Sequence, residues 1–158
     1  MKSPFLLTAI ISLIIIIKPS QSLKAEQVVI NEIMYHPNEG GHEFVEIENL
    51  TSSPFDIALW KLSGGVDFEF PDFSSASPRN TFLKAFERIV ICDTDPGTFR
   101  NTYGLPSAVR VFGPWKGNLS NSGERITLED KNGITRCTVR YDDKGNWPVA
   151  AAESPKPF

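Results

Sequence analysis

The sequence predicts an all-β chain, a two-sheet β-sandwich behind an N-terminal signal peptide. Three observations carry that expectation. Short runs of alternating apolar and polar residues recur through residues 26–148, separated by Gly, Pro, Asn and Ser clusters, which is the pattern of a sandwich. Asn132-Gly133 lies between two such runs, the strongest short-range signal for a hairpin. The chain also opens on Met1-Lys2 and an uncharged apolar run, Phe5 to Ile17, of 13 residues. That is the length of a signal-peptide core and too short for the roughly 20 residues that span a bilayer.

Small residues at Ser20 and Ser22 place cleavage after Ser22, with Ala25 as the second position. Retention of the run as an uncleaved anchor is the alternative. The expected organisation is therefore a signal peptide over 1–22, one sandwich domain over 26–148 and a poorly ordered Ala/Pro-rich tail over 149–158. Removing residues 1–22 leaves 136 residues, one domain's worth. It also takes away Lys2 and Lys18, so the formal net charge goes from −3 to −5. An acidic surface repels phosphate backbones, which makes nucleic acid a poor partner. No later apolar run is long enough for a membrane span. The destination is secretion or the cell envelope.

The first strand runs from Glu26 to Met34, followed by turn chemistry at His36 to Gly41. Glu43 to Glu48 alternates, with Val45 and Ile47 facing in and Glu46 and Glu48 facing out. A third strand runs from Phe55 to Leu62 around Trp60, the best large core anchor. Val66 to Phe70 alternates again, and Asp72 to Asn80 reads as a loop. Thr81 to Phe86 leads into a strand from Glu87 to Cys92. Pro96 and Gly104 bracket one short helical turn. Val109 to Phe112 is another strand, and the hairpin completes a set of seven or eight.

In that hairpin a two-residue loop sets Leu128 against Cys137 and Ile126 against Val139 on the inward face. On the outward face it pairs Glu129 with Arg136 and Thr127 with Thr138. A three-residue loop over Lys131 to Gly133 would bring Leu128 against Arg136 and mix the faces, so the two-residue register is preferred. The predicted common core is Val45, Ile47, Trp60, Ile126, Leu128 and Val139. Cys92 and Cys137 both fall on strands. They are either bridged by a disulfide, as an exported chain permits, or separately buried thiols.

Several stretches in this order resemble the lamin tail domain family. They are Val29-Ile-Asn-Glu-Ile-Met-Tyr-His-Pro37, Glu43-Phe-Val-Glu-Ile47, Trp60-Lys-Leu-Ser-Gly64, Phe99 with Tyr103-Gly104, the block from Trp115 through Leu119-Ser-Asn-Ser-Gly-Glu124 to Leu128, and Trp147-Pro148. The resemblance covers roughly 28–148 and implies an immunoglobulin-like sandwich. Outside animal nuclear lamins, members occur in exported bacterial proteins, often beside enzymes or other surface domains, and the signal peptide places this chain with the exported kind. Two features depart from the family. Ala150 to Phe158 stops short of a last Ser-Leu-Glu strand, which leaves either an open edge or a fragment of a larger protein. Lys84-Ala-Phe-Glu87 stands where a Gly-rich turn is more usual.

The chemistry-bearing residues are few. His36 and His42 share one loop and, followed by Glu43, sketch a metal site, but a loop pair with no third fixed ligand lacks the closed set that structural zinc requires. Asp93 with Asp95, and Asp142 with Asp143, offer the oxygen ligands calcium prefers, although Asx turns explain both pairs equally well. Glu32, Glu46 and Glu48 read as a solvated strand face. In Asn121-Ser-Gly-Glu124, Gly123 supplies a positive-φ turn, and Asn121 or Ser122 caps backbone groups. Arg125, Arg136 and Arg140 form the one basic stripe. Asn49-Leu-Thr51 and Asn118-Leu-Ser120 match glycosylation sequons.

Nothing marks a nucleophile, and no cofactor is implied. The expectation is an exported, non-catalytic module binding a protein or surface partner, with an edge-strand dimer as a further expectation if the last strand is missing. The alternative is an accessory domain of a larger secreted enzyme.

Overall fold

The computed structural model describes residues 26–72 and 81–144. The expected signal peptide (1–22), most of the expected loop (73–80), Trp147-Pro148 and the tail over 149–158 lie outside the described residues. In chain order the elements are β1 (Val28–Met34), β2 (Phe44–Asn49), β3 (Phe55–Asp56), β4 (Lys61–Ser63), β5 (Val66–Glu69), β6 (Phe82–Leu83), β7 (Arg88–Cys92), α1 (Pro96–Tyr103), β8 (Arg110–Phe112), β9 (Lys116–Gly117), β10 (Glu124–Glu129) and β11 (Thr135–Tyr141). One sheet has the order β1-β2-β7-β8 and the other β11-β10-β4-β5-β9, with a small β3-β6 ladder.

Alternation decides what faces what. Val45 and Ile47 of β2, Ile89 and Ile91 of β7, Leu62 of β4, and Ile126 and Leu128 of β10 are fully buried in one core, together with Trp60. Each such aliphatic side chain contributes about 1.5–3 kcal/mol relative to exposure. Val139 packs half-buried against the rim of this core. Along one side the sandwich is closed by β1 lying beside β11. There Tyr35 stacks on Tyr141 with centroids 4.7 Å apart, and the Ile30 N–H donates to Cys137 Sγ at 3.3 Å.

The ladders are antiparallel except β7 with β8, which is parallel. A parallel neighbour needs a crossover, and α1 supplies it. The Asp95 carboxylate caps its N-terminus by accepting the N–H of Gly97 (2.9 Å) and Thr98 (3.0 Å). Pro96 opens it and Gly104, at φ +61°, closes it. It runs two turns rather than the expected one. Phe99 and Tyr103 pack on the outer face of the first sheet against Met34, Phe44, Val90 and Cys92, forming a second apolar cluster.

The expected strand from Phe55 to Leu62 is two strands. Asp56 Oδ1 accepts the Ala58 N–H at 3.0 Å, an Asx turn that takes the backbone out of the ladder, and Leu59 then turns at φ +60°. Short pairings at β6 and β9 bring the eight anticipated strands to eleven among the described residues.

The hairpin turn also differs from expectation. Asp130 Oδ1 accepts the N–H of Asn132 (2.8 Å) and of Ile134 (3.0 Å), and Gly133 sits at φ +74°. The Asp130 N–H donates to Ile134 O at 2.9 Å, so the loop is the three residues Lys131 to Gly133. A bulge then absorbs the extra residue: Glu129 faces Thr135, and the next pair is Leu128 with Cys137. Ile126 opposes Val139, and the hydroxyls of Thr127 and Thr138 lie 3.2 Å apart. The expected Glu129–Arg136 pair is therefore replaced. Arg136 turns to Asp130, with Nε donating to Oδ2 at 3.0 Å.

A Cys92–Cys137 bridge is excluded by the faces the two residues occupy. Cys137 points between the sheets and Cys92 points outward beneath α1, and both are free.

Candidate functional site

The polar groups gather in three places. The first is the end of the sandwich where β1 leaves and β2 begins. There His42 Nδ1 lies 3.0 Å from Asp93 Oδ1, and Asp93 Oδ2 accepts the Glu43 N–H at 3.1 Å. The Tyr103 hydroxyl accepts the His42 N–H at 2.8 Å and donates to His42 O at 3.0 Å. Glu43 Oε2 accepts the Leu119 N–H at 2.9 Å. Burial raises the Glu43 carboxyl above its ordinary value, the Leu119 N–H opposes that, and Asp93 and Glu124 add to it. Burial likewise raises the Tyr103 phenol.

Glu124 closes the network. Its Oε1 accepts the Ser120 N–H (2.7 Å) and the Tyr141 hydroxyl (2.9 Å). Its carboxylate lies so close to Gly65 that a Cβ there would come within 2.4 Å of it, which is why glycine stands at that turn. Burial raises the Tyr141 phenol, and its bond to Glu124 raises it further. Gly123 has the expected positive φ, at +92°. The cap, however, is Ser120 Oγ, which accepts the Ser122 N–H at 3.2 Å. Neither Asn121 nor Ser122 takes that role.

This cluster brings together His42, Glu43 and Asp93 and leaves the exposed His36 apart. Asp93 Oδ2, Glu43 Oε2 and Glu124 Oε1 are taken by backbone N–H groups and a phenol, and the buried Asp93 Oδ1 faces only the His42 imidazole, so the cluster reads as a clamp joining three loops. The calcium candidates divide in the same way. Asp93 belongs to the clamp, Asp95 caps α1, Asp142 accepts the Lys144 N–H at 3.2 Å, and Asp143 is exposed. Among the described residues no group of three His, Cys, Asp or Glu side chains is arranged to hold a metal. The Cys92 thiol donates to Thr94 O and Phe112 O, and burial pushes it up to about 12, which makes it a poor nucleophile.

The second place is the outer face of the first sheet. Glu46 is completely buried there, contrary to the expected solvated face. It faces Glu32 on β1 and Val90 on β7. Its Oε1 accepts from Asn31 Nδ2 at 2.6 Å, Arg88 Nε stands 3.7 Å away, and Oε2 has no hydrogen-bond partner. Burial pushes this carboxyl up to about 7, against the pull of Asn31 and Arg88. Glu48 keeps a partly exposed ion pair with Arg88 at 3.3 Å, and Glu32 is raised by burial despite Arg88. Asn49, the first sequon residue, is also wholly buried, donating to Ser53 O (2.7 Å) and Lys84 O (2.8 Å). Asn118 is exposed.

The third place is the opposite end of the sandwich, where β1 starts and the β10–β11 hairpin turns. A groove of about 490 Å³ lies there, lined among others by Gln27, Phe55, Trp60, Ile134 and Arg136. The Arg136 guanidinium sits 5.8 Å from the Trp60 ring centre, and Leu50, Phe86 and Ile134 are exposed around this end. Periodicity did not point to it, although the unusual Lys84-Ala-Phe-Glu87 turn was a local signal. On the outer face of the second sheet Arg125 and Arg140 oppose each other, both exposed. Arg136 leaves the expected basic stripe for Asp130.

The family model for the lamin tail domain matches residues 21–143 of the chain. Among curated proteins no relative matches it.

Proposed function

The chain belongs to the lamin tail domain family, and on that premise we propose that it is an exported, non-catalytic module that binds a partner at the cell envelope. The family is one of immunoglobulin-like domains with a structural or interaction role. The observation that carries the reading is the fate of the polar side chains. The densest cluster, His42 with Glu43, Asp93, Tyr103, Glu124 and Tyr141, is consumed in joining loops. Its phenols are raised by burial, and the His42 imidazole is paired with the Asp93 carboxylate. Apolar side chains, Leu50, Phe86 and Ile134, are left at the surface of the opposite end instead, and that end is where a partner would be met.

Export rests on the sequence of residues 1–22. Expression of the full chain in a secreting host should release a product whose N-terminus is Leu23, and that product should be retained by a cell-envelope preparation. It should leave a panel of esters, phosphate esters, glycans and DNA unchanged. Turnover of any of these that survives repurification would overturn the non-catalytic reading. A product that stays in the cytosol would overturn export.

A further inference from the structure

We propose that the outer face of the second sheet carries a site for a phosphate monoester, held between Arg125 and Arg140; the site lies apart from the groove end and goes beyond the reading above. The two arginines stand directly opposite each other on β10 and β11, and both are exposed. Side chains so placed leave the backbone about 4.5–5.5 Å apart at Cβ, so their guanidiniums share one stretch of surface. Like charges directly opposite destabilise a ladder, and nothing among the described residues offsets this pair.

The other arginines among the described residues are engaged. Arg88 pairs with Glu46 and Glu48, Arg110 with Glu87, and Arg136, on the same strand as Arg140, with Asp130. Arg100 donates to Pro106 O at 3.1 Å and to Val109 O. Lys61, on the same face as the proposed site, pairs with Glu69 at 3.1 Å. Among the described residues Arg125 and Arg140 form no ion pair with a carboxylate. Asp142, two residues on from Arg140, accepts the Lys144 N–H at 3.2 Å. The Thr127 and Thr138 hydroxyls beside the pair bond to each other and to Ile126 O.

Charge and shape choose the anion. A guanidinium presents its N–H donors as a fork that matches two oxygens. A carboxylate has two oxygens and fills one fork. A phosphate monoester has three terminal oxygens and close to two negative charges at neutral pH. It can therefore engage both forks and neutralise both arginines, which removes the repulsion between them. A phosphodiester brings a single charge, and the chain's net charge of −3 repels a polymer of diesters, so nucleic acid fits poorly.

The test follows the arginine Nε–H signals of the full chain by NMR at constant ionic strength. Glycerol 1-phosphate and inorganic phosphate should each shift the Arg125 and Arg140 signals saturably and leave those of Arg88 and Arg110 in place. Dimethyl phosphate and acetate should bind about tenfold more weakly, or less. Arg125→Gln and Arg140→Gln should each weaken glycerol phosphate binding about tenfold or more, the worth of a charge-assisted bond, whereas Lys61→Gln should leave it unchanged. Neither arginine substitution should lower the urea midpoint, because each removes a repulsion. Saturating glycerol phosphate should raise the midpoint of the wild type and not that of Arg140→Gln. No shift at the two arginines, an equal response to the diester, or binding that survives both substitutions overturns the inference. A lowered midpoint in either variant would make the pair a structural element and overturn it as well. Binding of inorganic phosphate without the monoester would make this a site for the free ion and overturn the assignment. Retention by the envelope preparation is read separately, so these outcomes leave the reading above intact.

Discussion

Replacing Glu46 by Gln removes the pH dependence of one buried carboxyl and leaves its shape in place. Glu46 is 0% exposed, its Oε2 lacks a hydrogen-bond partner, and its pKa rises from the ordinary 4.5 to about 7. In the unfolded chain the same group titrates at the ordinary value. Between the two values the folded protein holds a proton that the unfolded chain has lost, so stability falls as pH rises. The contribution is fully present below pH 4.5 and lost as pH passes about 7. Each pH unit in that window is worth about 1.4 kcal/mol, so the wild type should lose about 3 kcal/mol to this group. Gln keeps an acceptor for Asn31 and cannot ionise. Urea unfolding of both proteins from pH 5 to pH 8 should therefore show Glu46→Gln gaining on the wild type with rising pH, by about 2–3 kcal/mol at the alkaline end. The lowered pKa of Asp130 acts below this window and does not interfere. Glu43 is raised as well, but it is common to both proteins and cancels in the difference; Glu32, also raised, faces Glu46 and repels its carboxylate, so the difference reports the Glu46 charge together with that repulsion. Parallel stability profiles would show that Glu46 is ionised and well solvated in the folded state, and the reasoning from its burial would fail.

Three further outcomes follow from single contacts. Asn49→Ala leaves the carbonyls of Ser53 and Lys84 without their donor and the Thr51 N–H without its acceptor, and urea unfolding should show a loss of about 2–4 kcal/mol. Arg140→Glu turns a like-charge cross-strand pair with Arg125 into an opposite-charge one; the gain, about 0.5–1 kcal/mol, should fade in high salt. Burial of Asp130 is outweighed by the Ile134 N–H, Arg136 and the Asn132 N–H, which hold its carboxyl below the ordinary 3.8. Asp130→Asn should therefore lower the thermal midpoint at neutral pH, and the deficit should shrink as pH falls below 3.8, since a depressed carboxylate gives up its stabilisation on acidification.

Much of the sandwich was legible because period-two alternation is a local property. Val45 and Ile47, or Ile126 and Leu128, declare their face without reference to any other part of the chain. What alternation could not see was the competition of side chains for the backbone. Asp56 takes the Ala58 N–H and splits a strand, and Asp130 takes two N–H groups and lengthens a turn. Asn-Gly placed that hairpin correctly, but Asp130, immediately before the loop, chose its length. The core register survived because a bulge cost less than turning Leu128 and Ile126 outward.

The polar sites were harder to read for a different reason. Glu46 and Glu48 alternate identically in the sequence, yet one is buried and the other partly exposed. The difference is made at a distance. The β7–α1–β8 crossover lays Phe99 and Tyr103 over the outer face of the first sheet, and Val109 and Val111 follow them onto it. A strand in a sandwich usually shows one face to water; here the helix covers the Phe44 end of β2 on its outer face, while the buried carboxyl of Glu46 is met by Asn31 from β1 and Arg88 from β7. The same crossover brings Asp93 and Tyr103 to His42. The opposite end receives no such cover, and Leu50, Phe86 and Ile134 remain exposed there. Where the helix crosses decides which end of the sandwich ties its polar groups into the fold and which keeps apolar side chains at the surface.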